Sequence, residues 1–212
     1  MMKNKSTILS TVVCLLPIVL SVVLYARLPE QIAIHFDNAG TPDSFVPKAV
    51  AAFGLPVFSA AINLYSHFRV TQDPKNENAA VSLKTFSQWL VPLLSVVLLP
   101  ATLFLSMGAN IPIVLTVQAL AGVVVIIFGN DLPKCKPNYT IGIKLPWTLD
   151  NEENWNKTHR FSGFVFVIGG IILLVNAFWL NLWYIVVGVI VLLAALPVLY
   201  SSLLYQKQKK AA

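Results

Sequence analysis

GNDLPKCKPNYTIGIKLPWTLDNEENWNKTHRFSG, residues 129–163, is the longest interval of this chain that is not continuously apolar. From Asn130 to Phe161 it runs 32 residues with three prolines, two tryptophans and a tyrosine, and it closes on Thr158-His159-Arg160. Loops beyond about 12–15 residues are usually functional or disordered. The aromatic and Ile/Leu content here speaks for order.

Around this interval lie apolar runs at 7–26, 49–68, 86–107, 111–129, 162–180 and 183–204. The chain is 57% hydrophobic and 11% charged, against about 25% charged in a soluble domain. A span needs about 20 apolar residues. In lipid the backbone must satisfy its own hydrogen bonds, so runs this long are helices. The run 7–26 exceeds the apolar core of a secretory signal and lacks a small-x-small cleavage pattern, so it reads as a retained helix.

Lysine and arginine give the orientation. With the N-terminus inside, thirteen of the 15 cations fall on inner segments, and only Arg27 and Lys48 fall outside. That is a strong positive-inside asymmetry. The net charge of +6 is explained by topology, with no direct nucleic-acid partner. The fold expected is an all-α membrane protein of six transmembrane helices, with both termini inside and one long ordered cytoplasmic loop between the fourth and fifth. It divides into a four-helix membrane region, 1–129, with an outer loop 27–48, and a region 130–212 holding the loop 130–161 and two helices.

Ionisable residues are nearly absent from the spans, which disfavours a charged transport path. Gln118, Asn63 and Asn176 read as interhelical hydrogen-bonding groups. In the long loop, charge alternates in blocks and sums to +1, which suits a folded segment pairing with itself and not a polybasic lipid-binding arm. Pro133, Pro137 and Pro146 predict an extended path over 131–147, with a turn at Gly142. Asp150 followed by Glu153 has capping-box spacing, predicting a helix that runs through Trp155 into the fifth span. On it Glu153 and Lys157 form an i,i+4 pair, and Trp155 and His159 share a face. Arg160 falls where the chain enters the membrane and would snorkel to lipid phosphate.

As chemistry, His159 beside an acid such as Glu152 suits a general base. No nucleophile, phosphate loop or H-E-x-x-H pair accompanies it, so a structural loop is the better reading. A small membrane enzyme or transporter centred on His159, Arg160 and Lys134 is the alternative, and a non-catalytic scaffold a third. In the outer loop Gln31–Phe36 reads as a short strand and Asn38-Ala39-Gly40 as a turn. His35, with Glu30, Asp37 and Asp43 nearby, is a weak metal pattern. Cys14 and Cys135 read as unrelated thiols. No cofactor or metal is expected.

Lys134, Asn138, Gly142, Lys144, Pro146, Trp147, Thr148, Trp155, Thr158, His159 and Arg160 together resemble the signature of the SdpI family of bacterial membrane proteins. Pro29, His35, Phe36, Gly40 and Asp43 resemble an LPxxIxxHF-type module found upstream in that family. Lys144 stands where arginine is also common. The resemblance implies a multi-pass protein of the bacterial plasma membrane without enzymatic activity. It implies immunity to an antimicrobial peptide toxin met on the outer side, and signalling through a cytosolic repressor held on the inner side.

Overall fold

The computed structural model describes residues 2–211, with side chains from 5 to 210, so the side chain of Lys3 lies outside the described residues. The chain is mostly helical. Its order is α1 (Met2–Leu24), β1 (Gln31–Phe36), β2 (Pro42–Pro47), α2 (Leu55–Gln72), α3 (Val81–Ser106), α4 (Ile113–Asp131), the single turn α5 (Pro146–Leu149), α6 (Glu152–Val175) and α7 (Trp183–Ala211). Six helical segments are long and apolar enough to cross a membrane: Lys5–Arg27, Val50–Gln72, Val81–Ser106, Ile113–Lys134, Glu152–Leu180 and Trp183–Lys210. The chain forms two compact units, Met1–Arg69 with Thr85–Val114 and Val70–Lys84 with Leu115–Ala212.

The first unit carries a hairpin. β1 and β2 pair antiparallel, with Ile32 opposite Val46 and Ala33 opposite Phe45, and the register slips at His35. The expected strand is present. Its partner Pro42–Pro47 has prolines at both ends, which hid it, since proline is tolerated only at strand ends and edges. Ile32 is fully buried among Leu28, Ala51, Ala52 and Leu103. The two alanines let the strand sit close to the turn that precedes α2. Between α1 and α2, Asn63 donates to the hydroxyls of Ser10 (2.9 Å) and Thr11 (3.1 Å). His67 meets Thr7 through Nδ1 (3.0 Å) and Ser10 through Nε2 (2.9 Å). These are the interhelical polar contacts expected of Asn63, extended by a histidine.

In the second unit α4 and α6 touch backbone to backbone. A Cβ on Gly170 would stand 2.7 Å from the Gly122 carbonyl, and one on Gly129 would stand 3.0 Å from that of Gly163. Both pairs repeat at a seven-residue spacing, so the two helices approach at two points two turns apart, with Ile126 and Phe166 packed against the opposing glycines. Small residues at such contacts let membrane helices approach closely. Above them Gln118 accepts from the Asn176 amide nitrogen (2.9 Å), and the Asn176 side-chain oxygen accepts from the Leu182 N–H (3.0 Å). Asn181, at φ +48°, turns the chain from α6 into α7.

Candidate functional site

The long loop folds against the start of α6. That helix is capped by Asn151, whose side chain accepts from the Asn154 N–H at 2.9 Å. The cap is one residue later than the expected Asp150, because Asp150 is the C-cap of α5, its N–H bonded to the Pro146 carbonyl. An amide and a carboxylate cap equally well, so the sequence alone offers both. The path from 131 to 147 also differs from the extended one expected. Asp131 ends α4, Leu132–Lys134 is a 3-10 turn and Pro146 starts α5. Proline is at home in a first helical turn, which is how Pro133 and Pro146 are used.

His159 is the centre of the arrangement and is fully buried. Its ring lies 3.9 Å from that of Trp155 at 18°. The Ile143 N–H donates to Nε2 at 3.0 Å, and Nδ1 lies 2.9 Å from the Trp155 carbonyl. A backbone N–H can only donate, so Nε2 is the acceptor and Nδ1 carries the proton. Both nitrogens are thereby committed within the loop. Gly142 makes this approach possible: at φ +123° its Cβ would collide with His159 Nε2 and lie 3.1 Å from the Trp155 ring. Trp155 in turn donates to the Cys135 carbonyl at 2.7 Å, and burial pushes the Cys135 thiol above its ordinary pKa.

Around this centre Asn138, Lys144 and Thr148 satisfy backbone groups of the loop. Asn138, fully buried, accepts from the N–H groups of Thr140 (3.1 Å) and Ile141 (2.8 Å) and donates to the Lys136 carbonyl (3.0 Å). Lys144 donates to the carbonyls of Thr140 (2.8 Å) and Tyr139 (3.3 Å). Thr148 accepts from the Leu145 N–H at 2.9 Å and lies 2.9 Å from the Ile143 carbonyl. Thr158 donates to Asn154 at 3.0 Å, and Asn154 both donates to the Ser201 carbonyl and accepts from its hydroxyl. Trp147, after exposed Pro146, donates to the Ser201 hydroxyl at 2.7 Å and stacks on Tyr205. The expected Glu153–Lys157 pair is present at 2.5 Å. Lys134 pairs with Asp131, and Arg160 is exposed. Among the described residues no hydrogen bond joins His159 to Lys134 or Arg160.

Asp73 belongs to this site, and sequence reading missed it. It lies just beyond α2, yet its carboxylate accepts from the Tyr139 N–H (2.9 Å), the Thr140 hydroxyl (2.6 Å) and the Lys75 N–H (2.8 Å). Burial pushes its pKa up, but these hydrogen bonds outweigh it and hold the carboxyl below its ordinary value. Asn78 adds a bond to the Pro137 carbonyl at 2.7 Å, and the Lys136 N–H returns one to Asn78 at 2.9 Å. The block-by-block charge balance therefore covers part of the loop's pairing, and the α2–α3 connection supplies the rest.

In the hairpin His35 Nδ1 lies 2.5 Å from Asp43, both well exposed. Asp37 shapes the turn by accepting from the N–H groups of Ala39 and Thr41, each at 2.8 Å, and Gly40 takes φ +84° there. Pro29 is exposed and follows buried Leu28. Phe36, Ala33, Phe45 and Leu105 line a hollow of about 210 Å³ between the hairpin and the end of α3. Among the described residues no cluster of three His, Cys, Asp or Glu could hold a metal.

The SdpI/YfhL protein family matches residues 134–201, the signature loop with α6 and α7. A domain of unknown function (DUF1648) matches residues 12–60, most of α1 and the hairpin. No solved structure matches the chain. "Immunity protein SdpI" of Bacillus subtilis (strain 168) is 30% identical over 194 residues, 92% of each chain. With six helices able to cross a membrane and a likeness that runs from the first helix to the last, the chain belongs to the SdpI family of multi-pass membrane immunity proteins.

Proposed function

We propose that this protein protects a bacterial cell from a secreted antimicrobial peptide toxin while embedded in the plasma membrane. The observation that carries this is the 30% identity over 92% of the chain to "Immunity protein SdpI". In this reading both termini and the loops 73–80 and 131–151 face the cytoplasm, and the hairpin 27–48 faces out. Thirteen of 15 cations on the inner segments support the orientation. So do the hydrogen bonds that tie the two inner loops together. The hairpin, with the His35–Asp43 pair and the hollow beside Phe36, meets the toxin. The signature loop locks the inner ends of α4, α6 and α7 and offers its outer surface to a cytosolic repressor.

A commitment of both His159 nitrogens to backbone supports a structural role over a catalytic one. The test is survival of toxin-sensitive cells given the purified peptide, with and without this chain expressed. Protection that depends on the chain is expected. Equal killing in both would remove the immunity reading.

A further inference from the structure

From Phe161 to Gln206 the chain runs 46 residues without an Asp, Glu, Lys, Arg or His. This interval holds most of α6 and α7 and the turn between them at Asn181-Leu182. The hairpin segment 27–48, by contrast, carries Arg27, Glu30, Asp37, Asp43 and Lys48. Length places the turn. Leu180 lies twenty residues beyond exposed Arg160, a rise of about 30 Å along a helix. The hydrocarbon core is about 30 Å thick. With the Arg160 guanidinium at one headgroup level, the turn reaches the opposite edge of the hydrocarbon and goes no further. Its backbone is provided for. The Asn181 N–H donates to the Asn176 carbonyl at 2.7 Å and the Leu182 N–H to the Asn176 side-chain oxygen at 3.0 Å. Asn176 is fully buried and bonded to Gln118 of α4. Non-helical backbone is tolerated at membrane depth only where its polar groups are satisfied in this way.

Aromatic side chains flank the turn on both sides. Phe178, Trp179, Trp183 and Tyr184 are 55–76% exposed. Neighbouring rings meet edge to face, at 5.9 Å for Phe178 and Trp179 and 6.2 Å for Trp183 and Tyr184. The other tryptophans of this unit use their N–H groups inside the protein: Trp147 donates to Ser201 and Trp155 to the Cys135 carbonyl. Trp179 and Trp183 have no such acceptor among the described residues. A ring with an apolar body and an unused polar handle belongs where hydrocarbon meets lipid oxygens. The exposed aromatic surface is continuous with the lipid-facing sides of α6 and α7, where Ile171, Val175, Val187 and Ile190 are exposed as well.

We propose that the α6–α7 turn stays within the membrane, where Phe178, Trp179, Trp183 and Tyr184 bind the glycerol–ester layer of the leaflet opposite the 131–151 loop. Both indole N–H groups donate to lipid oxygens there. The site is placed relative to that loop, so it holds for either orientation of the chain. The test is tryptophan fluorescence of the full chain in phospholipid vesicles. The emission removed by Trp179→Phe with Trp183→Phe is the signal of these two rings, and each single variant gives it ring by ring. Unchanged thermal midpoints establish that the variants are folded. Lipid brominated next to the acyl carbonyl quenches this signal, and the quenching is lost when the bromine is moved to the chain end. Iodide present on both faces of the vesicle leaves the signal unquenched. Iodide quenching as strong as that of free tryptophan puts the turn in water and overturns the proposal, and so does stronger quenching from the chain end. A dimer that Trp179→Ala with Trp183→Ala dissolves, with quenching by neither lipid, also overturns it and assigns the aromatic surface to a second copy.

Discussion

At Gly142 a hydrogen in place of a side chain is what lets His159 reach the Ile143 backbone. Gly142→Ala adds a methyl group at φ +123°, where an L-residue is strained by about 1–3 kcal/mol, and it pushes into the imidazole. The expected outcome is a lower thermal midpoint in detergent and faster exchange of the Ile143 amide. Asp73 gives a pH-dependent counterpart. Its folded pKa is depressed, so its contribution is complete above the unfolded value of about 3.9 and is lost as pH falls through the folded value. Asp73→Asn should therefore loosen the Tyr139 amide at neutral pH, by about 1–3 kcal/mol of protection. The difference from wild type should shrink in acid, and a difference that grew on acidification would contradict the assignment. Trp155 and His159 on one face and the Glu153–Lys157 pair were legible, because i,i+4 spacing is a local rule. Asp73 was not, because its partners lie 66 and 67 residues away and one helix end followed by proline looks like any other turn.

Among elements, the α4–α6 contact rests on what is missing from its surface. Gly122 and Gly129 face Gly170 and Gly163, and a Cβ on any of the four would stand 2.7–3.0 Å from a backbone atom of the other helix. Their seven-residue repeat in two separate runs is a signal that could have been found, but in runs this apolar the eye follows hydropathy. Gly170→Leu is expected to force the helices apart and to lower folded yield and thermal midpoint. Gly188→Leu, where nothing lies within 4 Å of a new Cβ, should be tolerated. Equal behaviour of the two would contradict the close packing. The six helices were legible from length and apolarity, since bilayer thickness sets their size. The second strand and the start of α6 at Glu152 were less so. Proline at the strand ends and a choice between Asp150 and Asn151 as cap leave local chemistry undecided, and tertiary contacts choose.

For the whole molecule, the two motif-bearing segments lie in different compact units, and the functional reading depends on their facing opposite sides of the membrane. Charge bias along the chain, not any contact between the units, is its source. The most direct measurement is labelling of intact cells with a membrane-impermeant thiol reagent, after both buried native cysteines are replaced by alanine. Asn38→Cys at the hairpin turn is predicted to label from outside in intact cells. Lys207→Cys at the end of α7 is predicted to label only after the membrane is opened. Labelling of Lys207→Cys in intact cells, or protection of Asn38→Cys there, would contradict the account.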